Sequence, residues 1–339
     1  MLERFGITKK MGTKPTPLPS TRSSSFKGMM GKITEEDLEF KKRNPNMACL
    51  CGSIIHLMVH TRPDIAFALS MISRAMSCPQ DHHYKACRHL LLYLAGTREE
   101  GIKYDRDYMR SFSTDDLVHA AVDSSFADCE ETARSTSGFV VWFGGSPVAY
   151  ECKRQGLVTM STMESEYVAA SRCVNEVRFL QKLLHFVGIK QELVKIDEDN
   201  QSCVAISVAP VCKQRSKHIG VKYHNVRFHC QKGNVKLVQV GTQFQCADIF
   251  TKNLPAPLFR KFKEVLLGYK HYATMVRETL QTMDANQPVK SSEALPSVKE
   301  MHAYGVNYVR QRQSFWMPFS IPITEVNEAA YWCMSATVT

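Results

Sequence analysis

The spacing of apolar residues changes period once along this chain, near residue 117. Upstream, Leu50, Ile54, Leu57 and Met58 recur every three to four residues, the spacing of one helical face. TRPDIAFALSMISRAM and HHYKACRHLLLYLAGT predict two more helices, with Pro63 suited to a first turn and Gly96 to a C-cap. Downstream, DLVHAAVDSS, STSGFVVWFGG and SPVAYECKR are short runs rich in Val, Phe, Trp and Tyr between polar or glycine-containing turns, and predict three strands in meander order. A long helix follows, with the stripe Tyr167, Ala170, Val174, Val177, Leu180, Leu184 and Val187, and Gly188 ends it. LVKIDEDN then predicts a fourth strand, QSCVAISVA a short helix, RSKHIGVKYHNVRFHCQKG another, NVKLVQVG a fifth strand, and FQCADIFTKNL the start of a last helix. The fold class is therefore α/β, a five-stranded sheet with flanking helices, preceded by a small helical region.

Four regions follow. Pro, Ser and charge crowd residues 1–45, which read as a linker. Residues 46–108 are the helical region and 109–265 the sheet domain. Residues 266–339, with Trp316 and Trp332 in an aromatic, Pro-broken stretch, follow no pattern that assigns them.

A chain of 339 residues, 44% hydrophobic, can bury a core. It has no run of eighteen apolar residues and no signal-like start, so an intracellular protein without membrane contact is expected. The twelve cysteines form no CxxC pair and no zinc spacing. Of the net charge of +10, about +7 falls in the first 110 residues. A basic region upstream suits a polyanion, because Lys and Arg supply sequence-independent affinity for nucleic acid. Charge alone equally describes a soluble basic surface.

The candidate chemistry is carboxylate. Asp123 in LVHAAVDSSFAD and Asp199 in VKIDEDNQS end strand-like runs, while Glu166 in MSTMESEYVAAS and Asp248 in FQCADIFTK open helical patterns. One acid at a helix start is ordinarily a cap or a dipole partner. Four in such positions can cradle Mg²⁺, which prefers hard oxygen ligands. Ser161 and Glu164 fit a capping box, leaving Glu166 as the favoured glutamate for the site.

TRPDIAFALSMISRAM, then HHYKACRHLLLYLAGT and GIKY, with LERFGI and TPLP near the start, resemble the segment joining polymerase to ribonuclease H in Copia-type retrotransposon polyproteins, over about residues 1–265. The resemblance makes 46–108 a reverse-transcriptase thumb or connection region and 109–265 a ribonuclease H-like domain. It implies hydrolysis of the RNA strand of RNA/DNA hybrids by Asp123, Glu166, Asp199 and Asp248 with two Mg²⁺ ions, or Mn²⁺, and no small-molecule cofactor. The polymerase part of a reverse transcriptase is the implied protein partner. Ser124, Asn200, Gln201, His218, His224 and Arg227 are the implied nucleic-acid contacts, and Arg62 and Arg88 lie where they could track a phosphate backbone. The chain departs from the family at Ser125 and Phe126, where Asp and Trp are usual, and in VGTQFQCAD, which lacks the histidine many cellular ribonucleases H carry before the last acid. The polymerase palm pair of aspartates is missing from its strand-turn setting, so no polymerase activity is expected. The alternative is a catalytically inactive nucleic-acid-binding remnant. An integrase is disfavoured because the acid-bearing long helix directly follows the third strand.

Overall fold

The computed structural model describes residues 2–7, 11–19, 35–43, 47–110, 117–129, 131–209 and 220–285. After a 3-10 turn at Glu3–Phe5, its helices and strands run α1 (Glu35–Arg43), α2 (Met47–His60), α3 (Ala66–Ser73), α4 (Asp81–Gly96), α5 (Arg106–Arg110), β1 (Val118–Ser125), β2 (Thr136–Phe143), β3 (Ser146–Arg154), α6 (Thr162–Phe186), β4 (Val194–Glu198), α7 (Gln201–Val208), α8 (Gly220–Gln231), β5 (Val235–Gln239), α9 (Ala256–Leu266) and α10 (Tyr272–Ala285). The strands form one sheet in the order β3-β2-β1-β4-β5. β1, β2 and β3 are the antiparallel meander the short apolar runs predict, and β4 and β5 add in parallel to β1. Gly144 and Gly145, both at positive φ, make the two-residue β2–β3 turn, a conformation glycine adopts without a Cβ penalty. This is the mixed, ribonuclease H-like sheet that the resemblance implies.

β1 and β2 are buried almost end to end, which requires cover on both faces of the sheet. On one face Val118, Ala120, Val122, Phe139, Val141 and Ile196 pack against the apolar stripe of α6. On the other, Ala121, Val140 and Trp142 join a core built from α2, α3, α4, α9 and α10. The helical region and the sheet thus share a core. No helix among the described residues is long and apolar enough to cross a membrane.

Several local readings change. In the stretch read as linker, Ile7 and Leu18 are buried in the helical core and residues 35–43 form α1. Gly96 is the last residue of α4, with Thr97 as C-cap, and a Cβ on Gly96 would lie 2.7 Å from the Cβ of Thr13, so what it provides is close approach of the N-terminal segment. FQCADIFTKNL does not open a helix. Cys246–Phe250 is a 3-10 turn buried on all sides, and an α-helix starting there would meet Pro255, which instead precedes α9. Beyond Gly268, α10 adds Tyr272, Met275 and Val276 to the core. Trp316 and Trp332 lie outside the described residues.

Candidate active site

β1 and β4 pair in parallel through His119↔Lys195, Ala120↔Ile196 and Ala121↔Asp197, so their carboxyl ends lie side by side. Side chains alternate between the two faces of a sheet, and this sorts the acids. Ala120 and Val122 face α6, which turns Asp123 to the opposite face. Val194 and Ile196 face α6, and Glu198 continues that row. Asp197 points the other way, with Oδ2 2.9 Å from Nε2 of His119.

Asp123, Asp199 and Asp248 each bring a carboxylate oxygen within 4.8 Å of the others. Asp248 arrives on the 3-10 turn Cys246–Phe250, which Gln245 fastens to β1 by donating from Nε2 to the Val122 carbonyl at 3.0 Å. The turn sits this close because Gly138, opposite Asp123 on β2, has no side chain: a Cβ there would lie 2.5 Å from the Cβ of Phe250 and 2.8 Å from Cγ2 of Thr251. The Thr251 hydroxyl donates to Oδ2 of Asp123. Nζ of Lys252 lies 2.7 Å from Oδ1 of Asp248 and 3.2 Å from Oδ1 of Asp123, bridging them.

A second triad, Glu166, Glu198 and Asp199, has the same 4.8 Å limit and shares Asp199 with the first. α6 starts where the capping pattern predicts. Ser161 Oγ accepts from the Glu164 N–H at 3.2 Å, and Glu164 Oε2 accepts from the Met160 N–H at 2.7 Å, so Glu164 serves the helix start while Glu166 joins the triad. Ser124 donates to Oγ of Ser165 at 2.7 Å, tying the end of β1 to the first turn of α6. Glu198 is fully buried and accepts from the Asn200 N–H at 3.0 Å through Oε1. Oε2 of Glu166 and Oε2 of Glu198 have no hydrogen-bond partner among the described residues.

Such crowding shifts ionisation. Burial, with Asp248 beside it, raises Asp123 to about 7, against the pull of Lys252 and Thr251. Burial likewise raises Glu166, helped by Glu198, Asp123 and Asp199. Glu198 is raised by burial and by Asp123 and Asp199, although the Asn200 N–H opposes this. Asp248 is raised by burial in spite of Lys252. Burial disfavours the Lys252 ammonium, but Asp123 and Asp248 outweigh it and hold the proton more tightly than usual. Buried carboxyl oxygens lacking donors, on residues whose charged forms are disfavoured, fit a divalent cation, which relieves both conditions at once.

The remaining sequence candidates divide. Asn200 caps α7, its side chain accepting from the Cys203 N–H at 3.0 Å, which gives it a structural task. Gln201 is exposed at the start of α7, Arg227 is half-buried on α8, and Arg88 is exposed on α4. His218 and the side chain of His224 lie outside the described residues. Arg62 does not track a phosphate backbone. It is buried, its Nε and Nη2 donate to the two carboxylate oxygens of Asp64, and its remaining donors reach the carbonyl and hydroxyl of Thr97. Glu198 and Lys252 were not candidates. Glu198 continues the inward row Val194, Ile196, and Lys252 stands four residues after Asp248, and both signals are present in the sequence.

A mixed sheet in this order, with buried acids gathered where β1 and β4 end, defines a ribonuclease H-like domain. The chain belongs to the Copia-type retrotransposon Pol polyproteins, of which it is one region. It is 29% identical over 266 residues to the retrovirus-related Pol polyprotein from transposon TNT 1-94 of Nicotiana tabacum, covering 78% of this chain and 19% of that protein. It is 30% identical over 263 residues to that from transposon RE1 of Arabidopsis thaliana, covering 77% of this chain and 17% of the relative. The chain thus spans under a fifth of the length of these curated relatives. Among solved structures it is similar to LC11-RNase H1, isolated from compost, with TM-score 0.32 and 16% identity over 40% of this chain and 93% of that one. LC11-RNase H1 has also been solved in complex with an RNA/DNA hybrid. No protein-family profile matches the chain.

Proposed function

We infer that the domain is a metal-dependent ribonuclease that hydrolyses the RNA strand of RNA/DNA hybrids. The observation that carries this is the pair of carboxylate triads joined at Asp199, with buried oxygens that lack donors. Asp123, Glu166, Asp199 and Asp248 would hold the metal, expected from the sequence as two Mg²⁺ ions or Mn²⁺. A bound divalent cation supplies an activated water and neutralises charge on the leaving oxygen. The protein's part is to fix the acids on rigid elements: β1 for Asp123, α6 for Glu166, the end of β4 for Asp199 and a buried 3-10 turn for Asp248. Asp199, half-exposed where the rest of the cluster is buried, marks the side from which a phosphate enters. The hybrid would be recognised by backbone shape and 2′-hydroxyls, with Gln201 and Arg88 as exposed contacts and Arg227 on α8. The setting would be intracellular, beside the polymerase part of a reverse transcriptase.

A labelled RNA/DNA hybrid incubated with the full chain and Mg²⁺ tests this. Cleavage of the RNA strand that Asp123→Asn abolishes is the expected result. Uncut hybrid with a folded wild-type chain, or undiminished cleavage by Asp123→Asn, overturns it. Salt-dependent hybrid binding without cleavage would identify a binding remnant instead.

A further inference from the structure

The helix that carries Glu166 has a second character at its other end. Its inner stripe, from Tyr167 to Leu184, packs on the sheet. Its outer ridge carries Phe179, Lys182 and Phe186 at the spacing of one helical face. Phe179 is 56% exposed and Phe186 86%, and Phe228 on α8 is 53% exposed. α8 lies alongside, held where the Asn225 amide donates to Oδ1 of Asn175 at 3.0 Å and to Oγ of Ser171 at 3.3 Å. Single exposed apolar side chains are ordinary, but large rings gathered on one surface mark an interaction site. Phe179 lies about 20 Å along α6 from Glu166, so this surface is not the mouth of the carboxylate site.

The charge among the rings is mainly cationic. Lys182, Lys190 and Lys232 are exposed and have no ion pair among the described residues, with Glu176 and Glu192 the acids on the same stretch of chain. Nζ of Lys232 lies 5.8 Å from the centroid of the Phe228 ring. His229, where α8 meets α6, is held below its usual range by burial and then by Arg178 and Lys182, so the seam between the helices is positive. This chemistry favours a nucleic acid over a protein. Lysine is depleted from protein–protein interfaces, whereas free ammonium groups suit phosphates and an exposed ring offers its face to an unstacked base. A duplex keeps its base faces stacked on one another, so the fit is to a single strand.

We propose that the outer ridge of α6, with Phe228 and Lys232 of α8, is a binding surface for single-stranded nucleic acid, separate from the carboxylate site. Phe179, Phe186 and Phe228 supply the stacking faces, and Lys182, Lys190 and Lys232 the phosphate contacts. Stacking and phosphate pairing read neither sequence nor sugar, so RNA and DNA strands share the surface. The inference goes beyond the hydrolase reading and holds whether or not the acids cut a hybrid.

Fluorescence anisotropy of a labelled oligothymidylate with the full chain in EDTA, which keeps divalent ions off the carboxylates, tests the proposal. Wild type is expected to bind, with an affinity that falls as salt rises. Phe179→Ser/Phe186→Ser should weaken binding roughly tenfold or more, and Lys182→Gln should reduce the salt slope by about 0.7. An oligouridylate should follow the oligothymidylate in each case. These positions are exposed, and circular dichroism establishes the fold of the variants. If the double variant does not fold, Phe186→Ser, at the most exposed ring, carries the test with a loss of about fivefold or more. No binding by wild type, or the double variant binding as wild type does, overturns the proposal. Size-exclusion chromatography covers the other occupant: a wild type that self-associates beside a double variant that elutes as a monomer makes the ridge a protein interface and also overturns it. Hybrid cleavage in Mg²⁺ is read separately. An uncut hybrid beside phenylalanine-dependent single-strand binding removes the ribonuclease and leaves this surface, and cleavage without single-strand binding does the reverse.

Discussion

Replacing Arg62 with Ala separates a structural arginine from a phosphate contact. In the fold the guanidinium meets Asp64 through two contacts of 2.9 and 2.8 Å, and the Asp64 side chain is wholly buried. Tyr93 adds a hydroxyl to the same carboxylate at 2.5 Å, and Thr97 accepts from Nη1 at its carbonyl and from Nη2 at its hydroxyl. Removing Arg62 leaves Asp64 buried with one neutral donor. Losing one partner of a buried ion pair costs about 3–5 kcal/mol, consistent with about 1.5–3 kcal/mol for each of the two hydrogen bonds to the Asp64 carboxylate. Urea denaturation followed by circular dichroism should show that loss as a lower midpoint with unchanged slope. The double variant Arg62→Met/Asp64→Leu should recover most of it, because apolar replacement of both partners removes the orphan. Had Arg62 contacted phosphate, the substitution would change stability by less than about 0.5 kcal/mol and reduce the salt slope of hybrid binding by about one. That pair of results would refute the buried-pair account.

Three further outcomes are expected. Gly138→Ala pushes a Cβ into Phe250 and Thr251 and should cost about 1–3 kcal/mol as overpacking, with a parallel loss of cleavage because the turn bearing Asp248 shifts; a variant as stable and active as wild type would show that the turn can move freely. Ser161→Ala removes the α6 cap and should cost about 0.5–2 kcal/mol while cleavage persists, whereas Glu166→Gln should abolish cleavage with little change in stability, and the reverse pattern would move the site to Glu164. Asp123 rises from 3.8 to about 7 on folding, so the folded state binds its proton more tightly; its stabilisation is complete below the ordinary value and is lost as pH climbs through about 7, on the order of 4 kcal/mol for this group alone. Metal-free protein should therefore have a lower urea midpoint at about pH 8 than at about pH 5, Mg²⁺ should erase the difference by pairing the charged form, and a midpoint that rises with pH in EDTA would contradict the assignment.

What the sequence could and could not disclose follows from which interactions leave a periodic trace. Short apolar runs between turns, the α6 stripe and the Ser161–Glu164 capping pattern are local traces, so the meander, the long helix and the start of that helix at Ser161 were legible. The convergence of Asp123 with Asp199 came from the resemblance, since nothing local shows that β1 and β4 pair in parallel. Arg62 was misplaced for a related reason. Its spacing from Asp64 is two residues, but what buries the pair is Tyr93 and Thr97, some thirty residues on, and charge spacing alone does not distinguish a buried pair from a solvated face. The local structure around Asp248 was misread because the turn is buried all round and carries no amphipathic period to separate it from a helix start. Lys252 and Glu198 show the remaining gap. Each stands in plain sequence relation to a recognised acid, at i+4 and at i−1, but those relations also occur on ordinary helix surfaces and strand edges. Only the tertiary fold turns them into a cation between two carboxylates and a fifth acid aimed at the first turn of α6. A site built by bringing like charges together must import its compensation from elsewhere in the chain or from solution, and the sequence names the charges without naming the compensation.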